Sequence, residues 1–81
     1  MSYFVYVLLC HDGSYYTGIA IDVAKRFDVH VSGRGAKYTR SHRPIKIVYT
    51  EECSTKSLAL IREHKLKTLS HQQKAELFGD M

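Results

Sequence analysis

Proline occurs once, cysteine twice and tryptophan not at all in these 81 residues, and each scarcity excludes something. Two thiols cannot form the bridge framework on which small secreted domains rely. Cys10 and Cys53 each close a strand-like run and could lie near each other, but neither belongs to a Cys-x-x-Cys pair. The reading is two reduced, buried, inert thiols. No apolar run approaches the ~18 residues that a membrane span requires, and the N-terminus lacks the basic start, apolar stretch and cleavage site of a signal peptide. A cytoplasmic protein with no membrane partner is therefore expected. No linker-like segment interrupts the chain, and its length suits one domain over residues 1–81, held by efficient packing rather than staples.

Acidic residues are missing from one place. None occurs between Asp28 and Glu51, whereas Arg34, Lys37, Arg40, Arg43 and Lys46 do, with His42 among them. The whole chain carries 12 Lys and Arg against 8 Asp and Glu, a net charge of +4 that favours a polyanionic partner. A basic stretch is ordinarily a solvated face. This one interleaves Gly33, Gly35, Tyr38 and Thr39 with its cations, which suits a loop that follows phosphates.

What is present reads as α+β. Tyr3 to Cys10 is a continuous aromatic and branched run, the signature of a strand buried on both faces. His11-Asp12-Gly13-Ser14 is a hairpin signal, and Tyr15 to Ile21 is the partner strand, with Gly18 marking a bulge or a close approach. Asp22 caps a helix to about Val31, in which Val23, Phe27 and Val31 share one face while Arg26 and His30 fall on its border. A long basic loop from Ser32 to Arg43 leads through Pro44 into a third strand, Ile45 to Glu51. Ser54 or Thr55 then caps a helix to about Leu69 with Leu58, Ile61, Leu66 and Leu69 inside and Glu63 beside Ala59 at the edge of that face. Ser70 with Gln73 resembles a capping box for a last helix, Gln72 to Phe78, stopped by Gly79. A hairpin, a crossover helix and a third strand imply a small three-stranded antiparallel sheet flanked by helices in the order ββαβαα.

Taken singly, the residues able to carry chemistry have ordinary explanations. Strand tyrosines such as Tyr6 and Tyr16 usually pack with a wet hydroxyl. Arg26 suits a surface stem, His30 a cation at a helix C-terminus, and Glu63 a helix pair with Lys67. In order, however, Phe4-Val5-Tyr6, Tyr16-Thr17-Gly18, Arg26, His30 and a helical Glu63 resemble the GIY-YIG nuclease superfamily. Asp12-Gly13-Ser14, the Gly33-x-Gly-Ala-Lys-Tyr-Thr run to Thr39, Pro44 and the Leu69-Ser-x-x-Gln-Lys run to Lys74 are similar to its small stand-alone bacterial branch. Ile19, Ala20 and Val31 stand where relatives tend to carry polar residues.

The resemblance implies that Tyr6 and Tyr16 line a cleft, Arg26 binds the scissile phosphate, and Glu63 holds one divalent cation, Mg²⁺ or Mn²⁺. His30 then occupies a position filled by His or Tyr. The implied activity is endonucleolytic hydrolysis of DNA phosphodiesters, with repair or recombination as the implied setting and RNA as the other open substrate. Tyr6 as phenolate or His30 as neutral imidazole would accept the proton of the attacking water. The tyrosine would need its pKa lowered from about 10, for which a nearby cation such as Arg26 is the expected agent. The rival reading is a nucleic-acid-binding module that does not cut, using Arg34, Lys37, Arg40 and Arg43 on phosphates with Tyr38 stacked on a base. A protein-interaction adaptor is the third.

A shared cleft also constrains the hairpin. Closing the loop at His11 and Ser14 makes paired residue numbers add to 25 and puts Tyr6 and Tyr16 on opposite faces. Closing it at His11 and Tyr15 makes them add to 26, with Tyr16 opposite Cys10, Tyr6 opposite Ala20 and both tyrosines on one side. A three-residue Asp12-Gly13-Ser14 loop is therefore expected, with Gly13 or Ser14 near the left-handed region, or else an odd shift from a bulge at Gly18.

Overall fold

The structure, a computed structural model, describes residues 2–79. Its elements are β1 (Tyr3–Cys10), β2 (Tyr15–Ala20), α1 (Val23–Val31), α2 (Lys37–Ser41), β3 (Pro44–Cys53), α3 (Lys56–Lys67) and α4 (His71–Phe78). The strands form one antiparallel sheet in the order β2-β1-β3. Its central strand explains the unbroken apolar run of β1: Val5, Tyr6, Val7 and Leu8 are all buried because both faces of β1 are covered. The α+β class stands with one addition. The stretch read as a loop from Ser32 to Arg43 contains the five-residue helix α2, so the order is ββααβαα. Such a helix is too short to display a 3.6-residue period, and no side chain caps it.

The two faces of the sheet have different tenants. On one, α3 and α4 bury Val5, Val7, Cys53, Ala59, Leu66 and Phe78 in a common cluster. On the other, reached by the intervening residues of β1, Tyr6 meets His30 of α1. The helix faces differ from the hydropathy expectation. In α1 the residue turned fully inward is His30, while Val31 is 43% exposed. In α3 the inner line is Ala59 and Leu66, whereas Leu58 and Ile61 are exposed. Small Ala59 allows the helix to approach the sheet, and Glu63 one turn later sits half-buried at the margin as expected.

The caps follow sequence closely. Asp22 accepts from the Lys25 amide at 3.1 Å, Thr55 from the Leu58 amide at 3.1 Å, and Ser70 with Gln73 forms a reciprocal capping box. Helix α1 ends in a Schellman arrangement, Gly33 N–H to His30 C=O and Arg34 N–H to Val29 C=O, both 3.1 Å, which turns the chain back toward α2. Cys10 and Cys53 are free and buried, but they are not neighbours: Cys53 pairs with Tyr3 and Cys10 with Pro44, at opposite ends of β1.

Candidate active site

The hairpin register decides which side chains can meet. Residues pair as Phe4 with Ala20, Tyr6 with Gly18, Leu8 with Tyr16 and Leu9 with Tyr15, so paired numbers add to 24. The expected three-residue loop exists one position earlier, as His11-Asp12-Gly13, closed by Cys10 N–H to Ser14 C=O at 2.8 Å. Gly13 takes the left-handed conformation at φ +85°, which glycine adopts without strain and Ser14 would not. Tyr6 therefore faces Gly18 rather than Ala20, and Tyr16 faces Leu8 rather than Cys10. The parity is the same, and both tyrosines share a face, their ring centroids 6.4 Å apart. No register shift falls at Gly18. Its role is close approach: a Cβ there would stand 2.5 Å from the Tyr6 hydroxyl and 2.7 Å from Cζ. The missing side chain lets the phenol reach across β2.

Tyr6 ends in a buried proton chain. The Ala36 carbonyl can only accept, so the Thr39 hydroxyl that reaches it at 2.9 Å donates. The Thr39 oxygen then accepts from His30 Nδ1–H at 2.8 Å, and His30 Nε2 is left to accept from the Tyr6 hydroxyl, also at 2.8 Å. His30 and Thr39 are each 1% exposed, so water cannot replace either partner. Burial, with the Arg26 charge second, holds His30 below its usual pKa of 6.5 and keeps the imidazole neutral at pH 7. Tyr6 moves against expectation. Burial first, then neighbouring Tyr16, pushes it up to about 12, although Arg26 opposes the rise. A standing phenolate is excluded at neutral pH.

Tyr6, Tyr16, Gly18, Arg26 and Glu63 line one pocket of about 440 Å³ at the open edge of β2. His30 lies behind Tyr6 rather than in the pocket wall. Glu63 holds Lys67 at 3.1 Å, one turn along α3, so its carboxylate already attracts a cation. Among the described residues no three His, Cys, Asp or Glu side chains converge. A lone carboxylate in a wet pocket fits a hard ion such as Mg²⁺ or Mn²⁺, which retains water and takes phosphate oxygens as ligands. It does not fit zinc, which wants three or four nitrogen or sulfur donors.

The basic segment lies beside this site. Arg34, Lys37, Arg40 and Arg43 are exposed, on or flanking α2. Tyr38 is not a free ring: it stacks at 4.0 Å on His42 and lies 5.9 Å from Tyr16. Sequence reasoning missed Thr39 as a partner of His30. The signal was present, since Thr39 ends the Gly33-x-Gly-Ala-Lys-Tyr-Thr run, but a threonine inside a basic loop points outward until α2 is known.

The model of the GIY-YIG catalytic domain matches residues 2–76. A UPF0213 protein of Staphylococcus saprophyticus is 47% identical over 78 residues, covering 96% of this chain and 95% of its own. The solution NMR structure of a UPF0213 protein from Bacillus halodurans is 44% identical with a TM-score of 0.59, and that of a protein from E. faecalis is 40% identical with a TM-score of 0.63. Each comparison covers 95% of this chain and 82% of the solved one.

Proposed function

The chain belongs to the GIY-YIG catalytic domain family, and from that premise we propose that it is a metal-dependent endonuclease hydrolysing phosphodiester bonds in DNA. The observation that carries the reading is the 2.8 Å contact between the Tyr6 hydroxyl and His30 Nε2 behind a pocket that also holds Tyr16, Arg26 and Glu63. Tyr6 takes a proton from the attacking water while passing its own to His30, so no phenolate has to persist and a pKa of about 12 is no obstacle. Thr39 keeps the other imidazole proton on Nδ1. Arg26 neutralises the phosphate oxygens, and Tyr16, in the lining of the same pocket, orients them. The new P–O bond comes from water, the bond to the 3′ oxygen breaks, solvent returns a proton to the leaving oxygen, and the proton on His30 goes back to Tyr6, which releases its other proton to the water of the pocket. Glu63 is the residue that would hold Mg²⁺ or Mn²⁺, and the ion would supply charge neutralisation to the phosphate.

Arg34, Lys37, Arg40 and Arg43 supply phosphate contacts outside the pocket, the whole chain acts as one domain, and the setting is cytoplasmic DNA repair or recombination. Among the described residues no helix is long and apolar enough to cross a membrane. The test is a cleavage panel of branched, nicked and single-stranded DNA in Mg²⁺ and Mn²⁺, comparing wild type with Glu63→Gln. Cleavage lost in the variant at an unchanged melting temperature is the expected result. Identical products from both proteins sink the enzyme assignment. If both bind with steep salt dependence and neither cuts, the chain is the non-cleaving module instead.

A further inference from the structure

A second, smaller pocket of about 150 Å³ lies at the other side of Tyr16, lined by Tyr15, Tyr16, Thr17, Tyr38, Lys67 and Lys74. We propose that it is a subsite for a backbone phosphate of the substrate strand, adjoining the phosphate that is cleaved. This rests on the nuclease reading above and extends it to where the strand runs.

Three observations converge. First, the pocket is cationic and small: two lysines from different helices reach its volume of about 150 Å³. Among the described residues Lys74 has no ion-pair partner, so its charge is uncommitted. Secondly, Thr17 is 3% exposed, yet its hydroxyl is the one buried side-chain polar atom among the described residues without a hydrogen-bond partner. Buried hydroxyls are normally satisfied, so an orphan asks for a partner, which a water or a ligand oxygen can supply. Its backbone agrees. Cys10 and Ser14 form a hydrogen-bonded pair, so by antiparallel alternation the amide of Thr17 points away from β1, to the open edge of the sheet. Thirdly, Tyr16 is a common wall of both pockets, and Lys67 is tethered to Glu63 of the first at 3.1 Å. A strand crossing the first pocket along the β2 edge passes into the second, and Lys67 is placed to exchange Glu63 for a phosphate as it arrives.

The experiment is binding of a short single-stranded DNA oligonucleotide by fluorescence anisotropy over a salt series in EDTA, where no cleavage occurs. Lys74→Gln should lower the salt slope by ~0.7, the share of one phosphate contact on a single strand. Lys65→Gln, an exposed lysine on the same helix as Lys67 but outside the pocket, should not. Thr17→Val should bind about tenfold more weakly, as for loss of a hydrogen bond to a charged group. Its melting temperature should be equal or higher, because an unpaired buried hydroxyl has gone. If Lys74→Gln and Thr17→Val bind like wild type while Arg43→Gln still weakens binding, the subsite is wrong and the nuclease reading survives. If wild type does not bind at all, the subsite falls, and the nuclease reading is decided by the cleavage panel in Mg²⁺ and Mn²⁺. If Lys65→Gln lowers the slope as much as Lys74→Gln, the effect is net charge alone and the subsite is likewise rejected.

Discussion

Replacing Thr39 with valine removes one oxygen from beneath the candidate active site and keeps the branched shape. The Ala36 carbonyl loses little, because it also accepts the amides of Thr39 at 3.1 Å and Arg40 at 3.2 Å. His30 loses its only partner at Nδ1, at a position 1% exposed where water cannot substitute. An unpaired buried polar group costs about 1–3 kcal/mol, and each kcal/mol moves the melting temperature of a domain this size by about 4–8 °C. A fall of roughly 10 °C is therefore expected. The larger effect is chemical. With no acceptor at Nδ1 the imidazole proton is free to move to Nε2, which then can no longer receive the proton of Tyr6. Loss of a general base typically costs about 10²–10⁴ in rate, so kcat should fall at least a hundredfold with little change in KM. Cleavage kinetics well below the melting temperature separate rate from unfolding, and ¹⁵N NMR of the ring nitrogens reads the tautomer directly. Thr39→Ser, which restores the hydroxyl, should recover most of the rate. A valine variant cutting within twofold of wild type, or a serine variant as slow as valine, would refute the proton chain.

Gly18→Ala should displace Tyr6, because its Cβ would stand 2.5 Å from the hydroxyl; overpacking of this kind costs about 1–3 kcal/mol, and cleavage should be lost while DNA affinity persists. Retained cleavage would mean that the phenol does not need its present position. In the folded state His30 is held below its usual 6.5, so the unfolded chain takes up the proton first as pH falls; stability should be complete above pH 6.5 and decline below it, and the acid limb of cleavage should lie below 6.5 as well. Both can be followed by denaturant titration and by a rate profile across that window, and His30→Gln should flatten its share of the stability profile. Arg40→Gln and Arg43→Gln should each lower the salt slope for duplex DNA by ~1 without altering sequence preference, as measured on a panel of duplexes.

Much of this was legible from residue types and spacing, for reasons that also explain the failures. Strand β1, the caps at Asp22, Thr55 and Ser70, and the even register of the hairpin rest on local chemistry, which the sequence states directly. The inward face of α1 does not. Hydropathy turns Val31 in and leaves His30 at the border, but a histidine with an acceptor on one nitrogen and a donor on the other is cheap to bury, and both partners come from elsewhere in the chain. Tyr6 failed similarly. Its pKa depends on whether burial or Arg26 dominates, and burial is a property of the folded sheet. Helix α2 escaped because five residues carry no period, so the one threonine that completes the site was hidden in a stretch read as loop.

The site also shows why an edge strand suits this chemistry. Tyr6 and His30 belong to the sheet face covered by α1, and Glu63 rises from α3 on the opposite face, so the sheet itself should separate them. Tyr6 and Glu63 share a pocket, with His30 behind the phenol, because β2 is the last strand on that side and carries no side chain at Gly18, where Tyr6 passes over. A central strand would block the passage with a neighbour, and a residue with a Cβ would block it with an atom. His30 is thereby kept dry on one face while the Glu63 carboxylate reaches the pocket from the other, and on the proposed function the phosphate would take the seam between them.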